Sequence, residues 1–435
     1  MGNLYEPFFT DVDSRAQVKG SRDPIGAQAI WTSFGRKVVG NVTTVSTSIR
    51  DFTVLLMGYY FAELVAEEAG ESNELETFLK WEQLAAFVRA HVNSDRSFRG
   101  TERVQKILSD GTRFTTSATG ASQILSDQPT YGIWGLYSMP AMESNLVKRE
   151  PPRLSEEGLS FVEKFYLPRF HKADGNVERL VSLLAKREVT FDLARDTYGL
   201  FNAIAALLKR ELASQERAFY WRHVAEGGPK ETTKGCQPLL ARLLSERLPG
   251  KDVSWTPTLV REISKAARKQ DEGMALSGEL ERICTCESVL APAALLFGFI
   301  QGLAGVTLDA AIKRIKDRWG ARIKTIDPAR FEELRPQLSK VRAETAENWI
   351  RIAAGLSAGM YGDVIQRLIE QNKATMELRG GAAWIELRAG AFHVRLRDEA
   401  GDLPSAEELP NLWRFSYFIN SLQLITTTLG APNYE

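Results

Sequence analysis

The sequence predicts a mainly α-helical protein, and three observations support this fold class. Apolar residues recur at i, i+3 and i+4 almost throughout residues 155 to 375, as in helices with one buried face. Residues 1–147 are instead rich in Thr, Ser, Gly and aromatic residues, which predicts a mixed N-terminal unit. A short stretch at 382–399 alternates apolar and polar residues, which predicts a late β-hairpin.

The N-terminal unit is expected to contain two long helices, because residues 54–70 and 74–92 keep a helical period. The sequence KREPPRLSEEG (148–158) then predicts a linker, in which the prolines end one unit and Ser155 caps the next helix. We therefore divide the chain into residues 1–150, a helical domain at 151–375, and a C-terminal part at 376–435.

The helical domain shows its clearest amphipathic patterns at 177–189, 196–212 and 258–270. The uncharged stretch 289–308 is near the length of a membrane span. Because it contains Pro292, Gln301 and three glycines, it favours two short buried segments with a break between them.

The C-terminal part begins with AAWIELRAGAFHVRLRDE (382–399), which predicts two strands joined by a Gly-containing turn. It continues with LPSAEELPNLWRFSYFINSLQLITTTL, which predicts one final helix with an aromatic N-terminal half. We expect the hairpin and this helix to pack on the helical domain.

Composition excludes several function classes. The 55 basic and 55 acidic residues give a formal charge of zero, so a nucleic-acid site must be a local patch. The three cysteines and four histidines lack zinc-ligand spacing, and we expect reduced thiols, no metal and no cofactor. The N-terminus lacks a secretory pattern, which favours a cytoplasmic protein. Phosphate-loop, dinucleotide, zinc-protease and serine-hydrolase motifs are absent from the sequence.

Basic and hydroxyl side chains concentrate near the N-terminus. Between Ser14 and Arg50 there is one acid, Asp23, against six basic residues: Arg15, Lys19, Arg22, Arg36, Lys37 and Arg50. The same region holds five hydroxyls, on Thr43, Thr44, Ser46, Thr47 and Ser48. Arginines and hydroxyls are groups that bind a nucleic-acid backbone, so the region is a candidate phosphate site. Alternatively, the hydroxyls only cap a helix that begins near Ile49.

Two later stretches are further candidates. In DRSFRGTERVQK (95–106), Arg99 and Arg103 are four residues apart and would share one helix face, for phosphate contacts or simply for solvation. In the stretch 115–146, aromatic and amide side chains could stack on and hydrogen-bond an extruded base, or could form core with tight turns. These base-pocket candidates are Gln128, Tyr131, Trp134 and Tyr137.

The blocks DPIGAQAIWTSFGRKVVGNVTTVSTSIRDFTVLL (23–56), RGTERV (99–104) and YGIWGLYSMP (131–140) resemble those of a group of bacterial proteins that are often encoded in phage-defence regions. The resemblance covers residues 20–147. It implies the activity of an anti-phage DNA glycosylase, which excises glucosylated hydroxymethylcytosine and leaves an abasic site. The implied partner is modified double-stranded phage DNA, without a membrane.

Such an enzyme needs a carboxylate to stabilise an oxocarbenium-like state, cations to hold the DNA, and a pocket for the extruded base. Asp23, Asp51 and Asp127 are the candidate catalytic carboxylates. Each has an alternative role: Asp23 could cap a helix before Pro24, Asp51 could pair with a surface base, and Asp127 could cap the turn before Pro129. The candidate DNA-binding residues are Arg36, Thr43, Thr44, Thr47, Arg50, Arg99 and Arg103.

Two other functions fit the sequence. A DNA-binding sensor or scaffold of a defence system needs only the N-terminal DNA contacts and a helical partner surface. A metal-dependent nuclease needs two or three converging carboxylates near a lysine, and no such motif stands out, so it ranks last.

Overall fold

The computed structural model describes residues 20–69, 73–250, 252–397 and 402–431. The described chain is mainly α-helical with a late β-hairpin, so the predicted fold class is confirmed. The α-helices are α1 Ala27–Gly35, α2 Ile49–Ala69, α3 Glu74–His91, α4 Thr101–Asp110, α5 Gln128–Tyr131, α6 Ile133–Glu143, α7 Glu156–Phe161, α8 Leu167–Lys172, α9 Val177–Ala185, α10 Phe201–Leu207, α11 Ser214–Tyr220, α12 Cys236–Arg247, α13 Pro257–Ala267, α14 Gly273–Gln301, α15 Leu308–Trp319, α16 Pro328–Glu332, α17 Arg335–Ala358, α18 Tyr361–Leu378 and α19 Ile419–Leu429.

The strands of the described chain form three antiparallel pairs. Two turns of π-helix, Val162–Tyr166 and Trp221–Ala225, follow α7 and α11, and a short 3-10 turn spans Leu409–Asn411. The paired strands are β1 Arg113–Ser117 with β4 Glu188–Asp192, β2 Val147–Lys148 with β3 Arg153–Leu154, and β5 Ile385–Arg388 with β6 Ala391–Val394.

The described chain forms two compact units, each built from separate parts of the sequence. The first unit contains the described residues up to Arg36 together with Ser254–Tyr417. The second unit contains Lys37–Val253 together with the described residues from Phe418. The predicted boundary near residue 150 lies inside the second unit, because the proline-rich segment folds back as the β2–β3 pair instead of forming a linker.

The first unit is organised around α14, which packs against α1, α13, α17 and α18. We expected a break in this region, but α14 runs through Pro292 as one helix. Pro292 and the residues around it are buried, and this apolar burial outweighs the backbone hydrogen bond that proline removes. By length and composition α14 could cross a membrane, but 67% of its most apolar window is buried, as in the core helix of a soluble protein.

The final helix is shorter than expected. It begins only at Ile419, because Tyr417 and Phe418 have positive φ angles of 46° and 61° that turn the backbone before it. The preceding aromatic residues pack in the first unit instead, where Trp31 stacks on Phe415 with ring centroids 6.2 Å apart. The aromatic N-terminal half of the predicted helix is therefore not helical, and its side chains pack in the core as part of an irregular segment.

The second unit packs α2 and α3 against each other, and α6 and α9 against α2. The β1–β4 pair extends this core through the rings of Phe87, Phe114 and Phe191, which stack in sequence. The predicted helix at 177–189 ends early, because the backbone is already extended at Lys186 and the alternating residues that follow form β4. The predicted helix at 196–212 is likewise shorter, as only α10 is helical there.

Candidate nucleic-acid interface

The hydroxyl-rich run leads into the N-terminus of α2, where the sequence predicted a helix to begin. The Asp51 backbone N–H donates to Ser48 Oγ at 3.2 Å, and the Thr43 N–H donates to Ser46 Oγ at 2.7 Å. Ser48 therefore caps α2, as the alternative interpretation proposed, whereas Ser46 and Thr43 accept hydrogen bonds from the backbone that precedes the helix. Thr44 is exposed, and Thr47 is half-buried.

Arg50 is buried beneath this turn and is held by protein groups. Its Nη1 lies 2.6 Å from Glu216 Oε1 and also donates to the Leu207 carbonyl at 2.9 Å. Tyr166 Oη donates to the same Glu216 oxygen at 2.7 Å. The Arg50 side chain is only 8% exposed, and no partner of its Nε atom is found among the described residues. Because Glu216 neutralises Arg50, the arrangement does not support the predicted phosphate contact for its Nη1 group.

Asp51 faces a second buried ion network. Arg89 Nη1 lies 2.7 Å from Asp51 Oδ1, and Arg89 Nη2 lies 2.8 Å from Asp95 Oδ2. Burial alone would raise the pKa of Asp95, but the Arg89 charge and the hydrogen bonds from Ser97 lower it below its usual value. Asp51 therefore pairs with a cation, as its alternative role suggested, but in the interior rather than on the surface.

The other two candidate carboxylates lie elsewhere. Asp23 belongs to the first unit, where its Oδ2 is 3.3 Å from Arg379 Nη2 and burial raises its pKa. Asp127 caps α5 by accepting a hydrogen bond from the Thr130 N–H at 3.2 Å. The three carboxylates therefore do not converge on one site.

The predicted base pocket is filled by its own packing. Gln128 is fully buried and donates to Glu82 Oε2 at 2.8 Å, and burial raises the Glu82 pKa to about 7. Tyr137 is buried and accepts a hydrogen bond from the Ser48 N–H, while Trp134 stacks on Tyr59 at 5.0 Å. Tyr131 alone among the four candidates is largely exposed, at 53%. This arrangement is that of a packed core with tight turns.

The remaining basic candidates are dispersed. Arg99 precedes α4, because Gly100 adopts a left-handed conformation at φ 81°, and so Arg99 does not share a helix face with Arg103. Arg103 Nη2 donates to the Ala121 carbonyl at 3.1 Å. Arg36 follows α1 in the first unit. Arg15 and Lys19 lie outside the described residues.

The structure shows a groove that the sequence did not predict, formed by three clefts of the second unit around residues 207–213. The slot, about 300 Å³, is lined by Arg50, Tyr166, Glu216 and the small side chains beside them. The cap cleft, about 280 Å³, lies at the start of α2 between Thr47, Arg50 and Arg210. The outer cleft, about 760 Å³, is lined by residues 93–97 and 209–211. Neighbouring clefts share lining residues, and we refer to the three clefts together as the groove.

The groove carries an excess of positive charge. Arg50 and Arg89 are balanced by Glu216, Asp51 and Asp95. Only Glu211 adds a further acid, whereas five further cations line the clefts: Arg96, Arg169, Lys172, Lys209 and Arg210. Within the described part of the chain, none of these five cations forms an ion pair. The groove can therefore attract and hold a polyanion.

Sequence reasoning reached only part of this groove. It selected Thr47 and Arg50, which line the cap cleft, but it missed the cations of 169–172 and 209–210. Those residues lie on segments that the sequence predicted as ordinary helices. The one available signal was the pair Lys209–Arg210, which directly follows the apolar residues of α10.

No group of three or more His, Cys, Asp or Glu residues that could hold a metal ion occurs among residues 20–69, 73–250, 252–397 and 402–431. Cys236, Cys284 and Cys286 are buried free thiols. No known family model, curated protein or solved structure matches this chain, so its similarity to other proteins assigns neither a family nor an activity.

Proposed function

We propose that this protein binds DNA through the groove of its second unit. The observation that carries the proposal is the set of five cations, without ion-pair partners in the described chain, around residues 207–213 of a protein with zero formal charge. Lysine and arginine side chains neutralise phosphates and release counterions, which supplies most of the affinity of nonspecific DNA binding. Thr47 and Ser97 add hydroxyls to the same surface.

Fluorescence anisotropy with a labelled DNA duplex tests this proposal. The variants Arg96→Glu and Arg210→Glu reverse charges on the outer cleft, and each should weaken binding by about tenfold or more. Lys230→Glu is the matched control, because Lys230 is exposed in the same unit but does not line the groove. An equal loss of duplex affinity in all three variants would indicate nonspecific charge attraction. Unchanged duplex affinity in both groove variants would contradict the proposal.

We further propose that the activity is that of a cytoplasmic DNA glycosylase in phage defence, with Asp51 as its carboxylate. The resemblance of residues 20–147 suggests the reaction, and position favours Asp51 over Asp23 and Asp127. Its neighbour Arg50 and its partner Arg89 both line the cap cleft. A carboxylate beside bound DNA could stabilise the positive charge that develops on the sugar as the glycosidic bond breaks.

An assay for abasic sites tests the reaction separately from binding. Unmodified, hydroxymethylated and glucosylated duplexes are incubated with the protein in EDTA and then exposed to alkali. We expect strand breaks on one modified substrate, and their loss in Asp51→Asn without loss of DNA binding. DNA binding without abasic sites on any substrate would instead support the second candidate, a sensor or scaffold. The buried ion pair of Asp51 with Arg89 favours that candidate, because it holds the carboxylate away from open solvent.

A further inference from the structure

The slot has the size of a small-molecule site. Its volume of about 300 Å³ is at the lower end of the range for small-molecule sites, so it has room for one nucleotide and not for a duplex. Four of the residues that line it have short or apolar side chains: Ala173, Ala206, Leu207 and Ala213. Such side chains suit the apolar faces of a sugar or base.

The rim of the slot is cationic. Arg169, Lys172 and Lys209 line it against one exposed acid, Glu211, and Lys172 and Lys209 are exposed as well. The Arg169 guanidinium lies 3.4 Å from the centroid of the Phe165 ring, and its Nη1 donates to the Phe165 carbonyl at 3.1 Å. These contacts fix Arg169 while leaving its charge without a carboxylate partner among the described residues. A phosphate group is the oxyanion that such a cluster of arginine and lysine side chains binds best.

The floor of the slot is a rigid polar network. Glu216 Oε1 accepts short bonds from Arg50 and Tyr166, at 2.6 and 2.7 Å. Tyr166 lies in one π-helical turn, and Tyr220, which directly precedes the other, contacts Tyr166 Oη at 3.1 Å. Turns of π-helix occur often at functional sites, because they shift side chains out of the regular helical positions.

One oxygen of this floor can exchange a long contact for a hydrogen bond to a ligand. Glu216 Oε2 accepts two hydrogen bonds, and both are long, at 3.4 Å from Arg50 Nη2 and 3.3 Å from the Ala213 N–H. Arg50 Nη2 also donates to the Glu211 carbonyl at 3.3 Å, so a ligand donor that enters from the slot can replace its contact with Oε2. An amino group on a nucleobase is such a donor, and Glu accepts from the amino group of cytosine in protein–DNA contacts.

We propose that the slot binds one phosphorylated nucleotide whose base carries an amino group. The phosphate lies on Arg169, Lys172 and Lys209, and the amino group points towards Glu216 Oε2. The nucleotide has two possible sources, a free nucleoside monophosphate or a nucleotide extruded from bound DNA. The second source rests on the proposed DNA-binding function, and it places an extruded base in the slot rather than beside residues 128–137.

The free-nucleotide arm of the test uses calorimetric titration of the full chain with dCMP, deoxycytidine and dUMP. We expect dCMP to bind at least about tenfold more tightly than either of the others, because deoxycytidine lacks the phosphate and dUMP lacks the amino group. The extrusion arm uses a duplex that contains 2-aminopurine, whose fluorescence rises when the base leaves the stack. Binding of dCMP identifies a free nucleotide as the source, and a rise in 2-aminopurine fluorescence identifies a nucleotide extruded from DNA.

The variant Ala206→Leu fills the slot without removing a charge and should abolish both signals. Because it removes no charge, it should weaken duplex affinity much less than Arg210→Glu does, whereas Arg210→Glu should leave dCMP binding unchanged. Lys172→Ala, an exposed rim substitution with little effect on folding, should weaken dCMP binding by about tenfold.

If Arg210→Glu does not change duplex binding, the proposed DNA-binding groove is contradicted, but the slot proposal is not. Conversely, the slot proposal is overturned by the absence of both signals, by signals that persist in Ala206→Leu, or by equal affinity for dCMP and dUMP.

Discussion

At the scale of single residues, Arg50 and Asp51 show how adjacent side chains serve different networks. Arg50 pairs with Glu216, whereas Asp51 pairs with Arg89, which also binds Asp95. Each charge is buried and has at least one partner of opposite sign. Since a buried charge without a partner is very costly, these networks constrain the start of α2 beneath the groove.

The Arg50–Glu216 pair makes the first prediction. Glu216→Ala leaves the Arg50 guanidinium buried without its carboxylate, and we expect the free energy of unfolding to fall by about 3–5 kcal/mol. Urea unfolding followed by circular dichroism measures this change. Arg113→Ala is the control, because Arg113 forms an exposed pair with Asp192 and should leave the unfolding midpoint nearly unchanged. Similar unfolding curves for the two variants would contradict a stabilising role for the buried pair.

The second prediction concerns Glu82 and the pH dependence of folding stability. Burial raises its pKa from 4.5 to about 7, so the folded state keeps its proton at pH values where the unfolded state has lost it. Folding stability therefore falls as pH rises from about 4.5 to about 7, with about 3 kcal/mol from this group.

The variant Glu82→Gln stays neutral and can still accept a hydrogen bond from Gln128 or from the Ile133 N–H. Its unfolding free energy, measured in urea at about pH 5 and about pH 7, should therefore fall less than that of the wild type. Glu287, whose pKa burial also raises to about 7, keeps its contribution in both proteins. Parallel pH profiles would show that Glu82 titrates normally in the folded state.

At the scale of elements, local sequence predicted helix positions well where periodicity was strong. The helices α2, α3 and α13 lie close to the predicted ranges, and so do the strands of the late hairpin. The errors occurred where tertiary packing decides, as at Pro292, which burial holds inside α14, and at the aromatic residues before Ile419, which pack instead of continuing the helix. The groove cations were missed for the same reason, because α8 and the end of α10 meet only in the folded chain.

The β5–β6 hairpin makes an element-scale prediction. Ala389 and Gly390 form its two-residue turn, and both have positive φ, at 49° and 77°. Asn tolerates this conformation better than Ala, so Ala389→Asn should stabilise the protein by about 0.5–1 kcal/mol. Gly390→Ala imposes the opposite change and should destabilise it by about 1 kcal/mol. Thermal unfolding measures both, and a lower midpoint for Ala389→Asn would contradict the turn geometry.

At the scale of the whole molecule, charge balance determines how DNA binding should respond to salt. The chain has 55 basic and 55 acidic residues, so no overall attraction adds to the groove. The groove contributes five cations without ion-pair partners in the described chain. Because each phosphate contact contributes a slope of about −0.9 to the dependence of log K on log salt, binding should give a slope no steeper than about −4.5.

This whole-molecule prediction also distinguishes the groove from other surfaces. Replacing Arg96 and Arg210 together by alanine removes two phosphate contacts, so the slope should become shallower by about 1.8. Lys230→Ala, away from the groove, should leave the slope unchanged. Anisotropy titrations at four or more salt concentrations give the slopes directly. A slope much steeper than about −4.5 would mean that phosphates contact cations outside the groove, because five groove residues cannot release so many counterions. A slope that the double variant does not change would mean that Arg96 and Arg210 do not contact phosphates.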